Sequence, residues 1–148
     1  MKETDKKILN ILQEDSKLSY KEISNKTNMA PSTIHFRVQK LLEEGIIKRF
    51  SIKLDLEKLG YQADAWVGLT VDPLKIDPIA AQLAQFSQIL KVFSTTGDHN
   101  LIIQVLAENE KNLWRFLRKK VQSIEGVDPQ MNVSIKLDSY KWTDTIPL

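Results

Sequence analysis

The stretch Ser19–Glu44, SYKEISNKTNMAPSTIHFRVQKLLEE, decides how the chain is read. Ser19 stands three residues before Glu22, the reciprocal spacing of a capping box that starts a helix. Tyr20, Ile23 and Thr27 then share one side of that helix, spaced three and four apart. Asn28 interrupts the pattern, and Pro31 suits the first position of a new helix, where its missing N–H costs nothing. Ile34, Val38, Leu41 and Leu42 follow at i, i+4, i+7 and i+8, and Gly45 marks the stop. Two short helices joined by a tight turn form a helix-turn-helix, which makes DNA the first partner to consider.

The outward face of the second helix decides whether such a motif could read a base sequence. At about 100° per residue the apolar stripe centres between Ile34 and Val38. Ser32, Phe36, Gln39 and Glu43 then point most directly away, Thr33 and Lys40 lie beside them, and His35 and Arg37 occupy the flanks. Hydroxyls and an amide can bond base edges, Lys40 can reach phosphate or guanine, and Phe36 can meet a thymine methyl. The competing reading makes this helix an ordinary packing unit with a solvated polar face.

Upstream, Ile8, Leu9, Ile11 and Leu12 predict a supporting helix from Thr4 or Asp5 to Asp15, with a core of Ile8, Leu12, Ile23, Val38 and Leu41. Downstream of Gly45 the period changes. Phe50, Ile52 and Leu54 alternate with Ser51 and Lys53, which is strand spacing. Lys48, Arg49 and Lys53 bring positive charge to this segment, as in a wing that grips phosphates without reading sequence. Residues 1–60 hold 12 Lys and Arg against 9 Asp and Glu, a net of +3, whereas residues 61–148 hold 9 against 10. A mildly basic front half with a neutral rear fits a nucleic-acid module joined to something else.

Residues 55–63, DLEKLGYQA, read as a short semi-rigid connector. Beyond it, alternation over Ala65–Val71, a helix over Pro78–Phe86, strands over Ile89–Thr95 and Leu101–Ala107, a helix over Glu110–Ile124 and a last strand over about Met131–Trp142 give the order βαββαβ. That order predicts an antiparallel sheet with two helices on one face, a ferredoxin-like sandwich. The expected class is therefore α+β: a winged helix-turn-helix domain over 1–54, a linker over 55–63 and the sandwich over 64–148. Helices cover one sheet face only, so Trp66 and Trp142 on an open face predict a partner subunit. Dimerisation would also set two recognition helices one DNA turn apart, on a palindromic site.

Several function classes recede on composition. The 148 residues carry a net charge of only +2 and no cysteine, which excludes disulfides and thiolate metal sites. The two histidines, His35 and His99, have no ligand-spaced companion. No membrane span or signal peptide is visible, so a cytoplasmic protein is expected. No Ser/His/Asp set, paired carboxylates or Gly-rich phosphate loop supports an enzyme, and the only adjacent acid–imidazole pair is Asp98-His99. RNA binding by the sheet is disfavoured because LIIQVLA, over 101–107, offers no aromatic for stacking bases.

The order of these motifs, with VQKLLEEGIIKRF closing the helix-turn-helix and TTGDHNLIIQV in the second half, resembles the Lrp/AsnC or feast/famine family over essentially the whole chain. The resemblance implies a DNA-binding transcriptional regulator whose C-terminal RAM domain forms dimers, often tetramers or octamers, and takes an amino acid or related small metabolite as effector. It places DNA contacts at Ser32, Thr33, Phe36, Arg37 and Lys40, with Lys48 and Arg49 on phosphates. Phe36-Arg37 stands where the family often has Arg-Arg, which implies a different operator preference. Effector contacts fall at Thr96, Gly97, Asp98, His99, Asn100, Gln130 and Asn132. Asn100 replaces the acid of the family's Gly-x-x-Asp turn, and Gln130 and Asn132 replace two threonines. Backbone around Gly97 would supply donors for a carboxylate, and Asp98 or Asp128 an acceptor for an ammonium. No metal or cofactor is implied. The alternative is an ACT-like metabolite-binding module without DNA-binding activity.

Overall fold

The computed structural model describes residues 1–148, which fold as two compact units: Met1–Lys53 with Lys141–Leu148, and Leu54–Tyr140. The first unit is built on three helices, α1 (Glu3–Glu14), α2 (Tyr20–Thr27) and α3 (Pro31–Glu43). Glu3 and Asp5 lie in the first turn of α1, where carboxylates suit the positive end of the helix dipole. At α2 the capping box is complete. Ser19 N–H donates to Glu22 Oε2 at 2.7 Å, and Ser19 Oγ accepts from Glu22 N–H at 3.3 Å. The Ser19 hydroxyl also donates to Glu22 Oε2 at 2.7 Å, and this bond first, with the Ser19 N–H second, holds the Glu22 carboxyl below its ordinary value.

Asn28 closes α2 in the left-handed conformation at φ 56°, which a short polar side chain tolerates. Pro31 opens α3 at its first turn. The end of α3 is drawn tight as Gly45 N–H donates to Leu42 O at 3.0 Å and Ile47 N–H to Leu41 O at 3.0 Å. Ile8, Leu12, Ile23, Ile34 and Val38 form the core that these turns bring together. Ile23 is fully buried in this core, which residues of all three helices share.

The second unit is a four-stranded antiparallel sheet in the order β2-β3-β1-β4, with β1 at Ala63–Leu69, β2 at Ile89–Ser94, β3 at Leu101–Ala107 and β4 at Asn132–Ile135. Ala65 faces Val105 and Val67 faces Ile103 across the central ladder. Their side chains join Leu69 and Leu101 under helices α4 (Ile76–Leu83) and α5 (Glu110–Phe116), which contribute Ile79, Leu83 and Leu113. A short 3-10 turn, Pro73–Lys75, leads into α4. This is the expected βαββαβ sandwich. On the other face Trp66 stacks on Phe93, with ring centroids 6.4 Å apart and planes 9° apart, and Lys91 Nζ stands 5.5 Å above the Trp66 ring.

Four expectations are corrected. The strand read at Phe50–Leu54 forms no ladder, because no other segment of the chain pairs with it; Ile52 is 77% exposed. Period-two alternation describes a face, and a strand exists only where a second backbone satisfies its hydrogen bonds. The last strand stops at Ile135, well short of Trp142, and its pairing with β1 closes where Lys136 N–H donates to Asp64 O at 2.8 Å. Segment 141–148 belongs to the first unit, so Trp142 lies off the sheet, with Lys53 Nζ 5.4 Å from its ring centroid. The helix expected over Glu110–Ile124 widens into a π turn at Leu117–Val121, where Gln122 N–H reaches Leu117 O at 2.8 Å. Residues four apart drift by about 40° around an α-helix. The wider turn keeps Val121 on the buried side with Leu113 and Leu117.

The connector at 55–63 is an ordered turn. Lys58 N–H donates to Asp55 Oδ1 at 3.1 Å and Tyr61 N–H to Leu56 O at 2.9 Å. For the first unit, urea unfolding of Ile23→Ala should show a loss of about 2–5 kcal/mol, the range for truncating a fully buried aliphatic side chain.

Candidate DNA-reading helix and effector pocket

Helix α3 turns Ile34, Val38 and Leu41 into the core, which leaves Ser32, Thr33, Phe36 and Lys40 exposed. Phe36 is 68% exposed, so its phenyl ring is free to meet a partner. Arg37 stands apart from these residues. Its Nη1 donates to Asp5 Oδ1 at 2.8 Å, tying α3 to α1, and its Nε is buried with no partner. The guanidinium is therefore engaged inside the unit. Lys40 makes only a long exposed pair with Glu44, at 3.6 Å, a contact of little energetic weight. His35 packs edge-on against Tyr20, ring centroids 5.2 Å apart, and so braces α3 on α2. Lys48 and Arg49 are exposed on the segment that follows the helix.

The second candidate site lies wholly in the sheet unit. A cavity of about 510 Å³ is lined by Thr70, His99, Trp114, Asp128, Gln130, Met131, Asn132 and Val133. His99, Gln130 and Asn132 are thus brought together, while Thr96, Gly97, Asp98 and Asn100 do not line the cavity. Asn100 is committed elsewhere: its Nδ2 donates to Val71 O at 2.7 Å and its Oδ1 accepts from Val71 N–H at 2.8 Å. The amide imitates one rung of a ladder and locks the β2–β3 turn to the end of β1. Gly97 has φ 111°, so it serves the turn by its backbone freedom.

The His99 ring lies against Gly68, where an added Cβ would collide with it. Its Nδ1 comes within 3.5 Å of Thr70 Oγ1, at the limit of a hydrogen bond. Asp128 Oδ1 accepts from Gln130 N–H at 2.8 Å, and Asp128 N–H donates to Thr70 O at 2.8 Å. The mouth of β4 is in this way bonded to the end of β1. Sequence reading missed Thr70, Trp114, Met131 and Val133. The alternation of β1 carried a usable signal for Thr70, two residues after Gly68 on the same face. Trp114 gave none, since it sits off the apolar stripe of its helix.

With this geometry in view, the chain matches two family models: winged helix-turn-helix DNA-binding over residues 1–48 and the Lrp/AsnC ligand binding domain over residues 64–146. The chain belongs to the Lrp/AsnC family of transcriptional regulators. Among its relatives, the HTH-type transcriptional regulator FL11 of Pyrococcus horikoshii is 39% identical over 146 residues, 99% of this chain and 95% of that protein. FL11 of Pyrococcus furiosus is 38% identical over 144 residues, covering 97% and 94%. In fold the Lrp/AsnC chain is similar to Escherichia coli AsnC, at TM-score 0.93 and 24% identity over 99% of both chains. It is equally similar to the Neisseria meningitidis transcriptional regulator NMB0573 in its L-Met complex, at TM-score 0.93 and 24% identity over 99% of this chain and 96% of that one.

Within this Lrp/AsnC chain the pocket depends on the absence of a side chain at Gly68. Gly68→Ala should drive His99 off β1 and lower thermal stability of the sheet unit by about 1–3 kcal/mol, as overpacking does. Nuclear magnetic resonance of the His99 ring protons, which lie over β1 in the parent protein, should report the displacement directly.

Proposed function

We propose that this regulator binds double-stranded operator DNA through α3 as a homodimer, and that the cavity beside His99 takes an amino acid as effector. The observation that carries the DNA reading is the outward face of α3. It presents a phenyl ring, two hydroxyls, the Gln39 amide, the Glu43 carboxylate and one lysine, while Arg37 is held back by Asp5. Such a face is poor in the bidentate donors that select guanine and well suited to the thymine methyl group and to single hydrogen bonds on base edges. Lys48 and Arg49 then serve phosphates, adding affinity without sequence preference. The Trp66–Phe93 stack on the helix-free face of the sheet supports pairing of two copies there, and the two-fold axis of such a pair suits a palindromic operator.

Selection of sites from random duplexes near physiological salt, followed by footprinting, should return a palindrome with half-sites a whole number of helical turns apart. Phe36→Ala should relax preference at thymine positions, at about 1–3 kcal/mol per discriminated base pair. Lys48→Ala should weaken all sequences alike and lower the salt slope by about one. Absence of any enriched sequence would leave the chain as a metabolite-binding module.

The effector reading rests on the mixture of groups in one cavity. The Asp128 carboxylate can accept from an ammonium, and the Thr70 hydroxyl, the His99 imidazole and the amides of Gln130 and Asn132 can donate to a carboxylate. Trp114, Met131 and Val133 offer apolar surface to a side chain. The L-Met held by the Neisseria neighbour makes methionine and other apolar amino acids the first ligands to test. Calorimetric titration should show binding that Asp128→Asn weakens at least about tenfold, the cost of one charge-assisted contact. Equal binding of the amino acid and its deaminated acid by the parent protein would remove Asp128 from that role.

A further inference from the structure

Segment 141–148 returns to the helix-turn-helix unit, where side chains from α1 and from the stretch after α3 fasten it. Gln13, the penultimate residue of α1, donates from Nε2 to Ile146 O at 3.1 Å and accepts at Oε1 from Ile146 N–H at 2.7 Å. One amide thus satisfies both backbone groups of one residue, as a neighbouring strand would. Lys53 adds a second fastening, with Nζ 3.7 Å from Asp144 Oδ2 and 5.4 Å from the Trp142 ring centroid. Ile146 precedes Pro147, which biases it toward the extended backbone that the clasp grips. The segment forms one wall of a groove that Leu9, Leu12, Ile47 and Phe50 also line.

The clasp changes how the two units are joined. Without it, one covalent crossing at Lys53–Leu54 would connect them. With it, the chain crosses a second time at Tyr140–Lys141. Two crossings leave the DNA-reading unit fewer orientations than one, because each closed segment removes conformational freedom. The second crossing also continues from β4, whose first residues line the cavity beside His99.

We propose that Gln13 is a positioning residue for operator binding: by clasping Ile146 it holds segment 142–148 on the helix-turn-helix unit and so limits how freely that unit swings when two half-sites are engaged at once. Gln13 acts through the segment, so α3 engages an isolated half-site equally well with the clasp open. The clasp matters for the second half-site, whose capture depends on the effective concentration of the second helix-turn-helix unit near it. The inference rests on the proposal that α3 binds DNA as part of a dimer.

The test uses the full chain and the site returned by selection with the parent protein. Two variants open the clasp from opposite sides. Gln13→Ala removes the amide while keeping a strong helix former in α1. Ile146→Pro removes the N–H and touches nothing in the three-helix core. Each is titrated against a single half-site duplex, the two-half-site duplex, and the latter lengthened by half a helical turn. The expected result is half-site affinity within about twofold of the parent, two-site affinity about tenfold weaker, and a smaller preference for the in-phase over the lengthened duplex. Unchanged two-site affinity and phase preference in both variants would overturn the proposal. An equal loss on all three duplexes would overturn it too, making Gln13 part of the unit's own stability. If the parent protein binds none of the duplexes, the DNA reading itself fails and the positioning role falls with it.

Discussion

Strand β1 is hydrogen-bonded along both edges, to β3 on one side and to β4 on the other, and this double pairing settles the register of the sheet unit. Side chains alternate across a strand, so a slip of one residue would exchange its two faces. In the observed register Ala63, Ala65, Val67 and Leu69 lie under the helices. Asp64, Trp66, Gly68 and Thr70 fall on the opposite side by the same alternation. Nearly everything chemically distinctive in the unit derives from that second set. Trp66 builds the aromatic stack, Gly68 seats His99, and Thr70 lines the cavity.

Asp64 is the one carboxylate that this arrangement buries. Its oxygens accept from Gln104 Nε2 at 2.8 Å and Lys136 Nζ at 2.9 Å, so the charge is both paired and hydrogen-bonded. Gln104 Oε1, by contrast, is buried with no partner, on a residue 2% exposed. Polar groups in such a place are retained at a cost in stability, and they discriminate between ways of packing the face. The first unit uses the same device at Arg37 and Asp5, where a paired guanidinium with an unpartnered Nε joins α1 to α3.

Much of this was legible in the residues. The capping box at Ser19 and Glu22, the turn at Asn28, the proline opening α3 and the βαββαβ order all follow from local chemistry, and all four are present. What was not legible depends on partners distant in sequence. Phe50, Ile52 and Leu54 alternate like a strand, yet pairing requires a second backbone. The width of the turn at Leu117–Val121 depends on how far Val121 must rotate to stay under the sheet. Local sequence puts Arg37 on a flank of α3, and the family resemblance makes it a DNA contact and Asn100 an effector contact. Each is held by a group far along the chain, Asp5 in one case and the Val71 backbone in the other, and neither pairing leaves a mark in local sequence. Among the proposed effector residues, His99, Gln130 and Asn132 line one cavity because the β2–β3 turn and the approach to β4 both meet the end of β1.

The contact between Gly68 and His99 bears on how such a regulator could diverge. A pocket whose imidazole rests directly on a strand backbone leaves no room for the ordinary first step of specificity drift, the enlargement of one lining position at a time. Any side chain at Gly68 evicts the ring, and any smaller residue at position 99 opens a hollow above the glycine. A duplicated copy of this chain would therefore reach a new ligand preference more readily by altering Trp114, Met131 or Val133, on the far walls, than by altering the floor. The floor is in effect a two-residue unit of inheritance, exchanged together or kept.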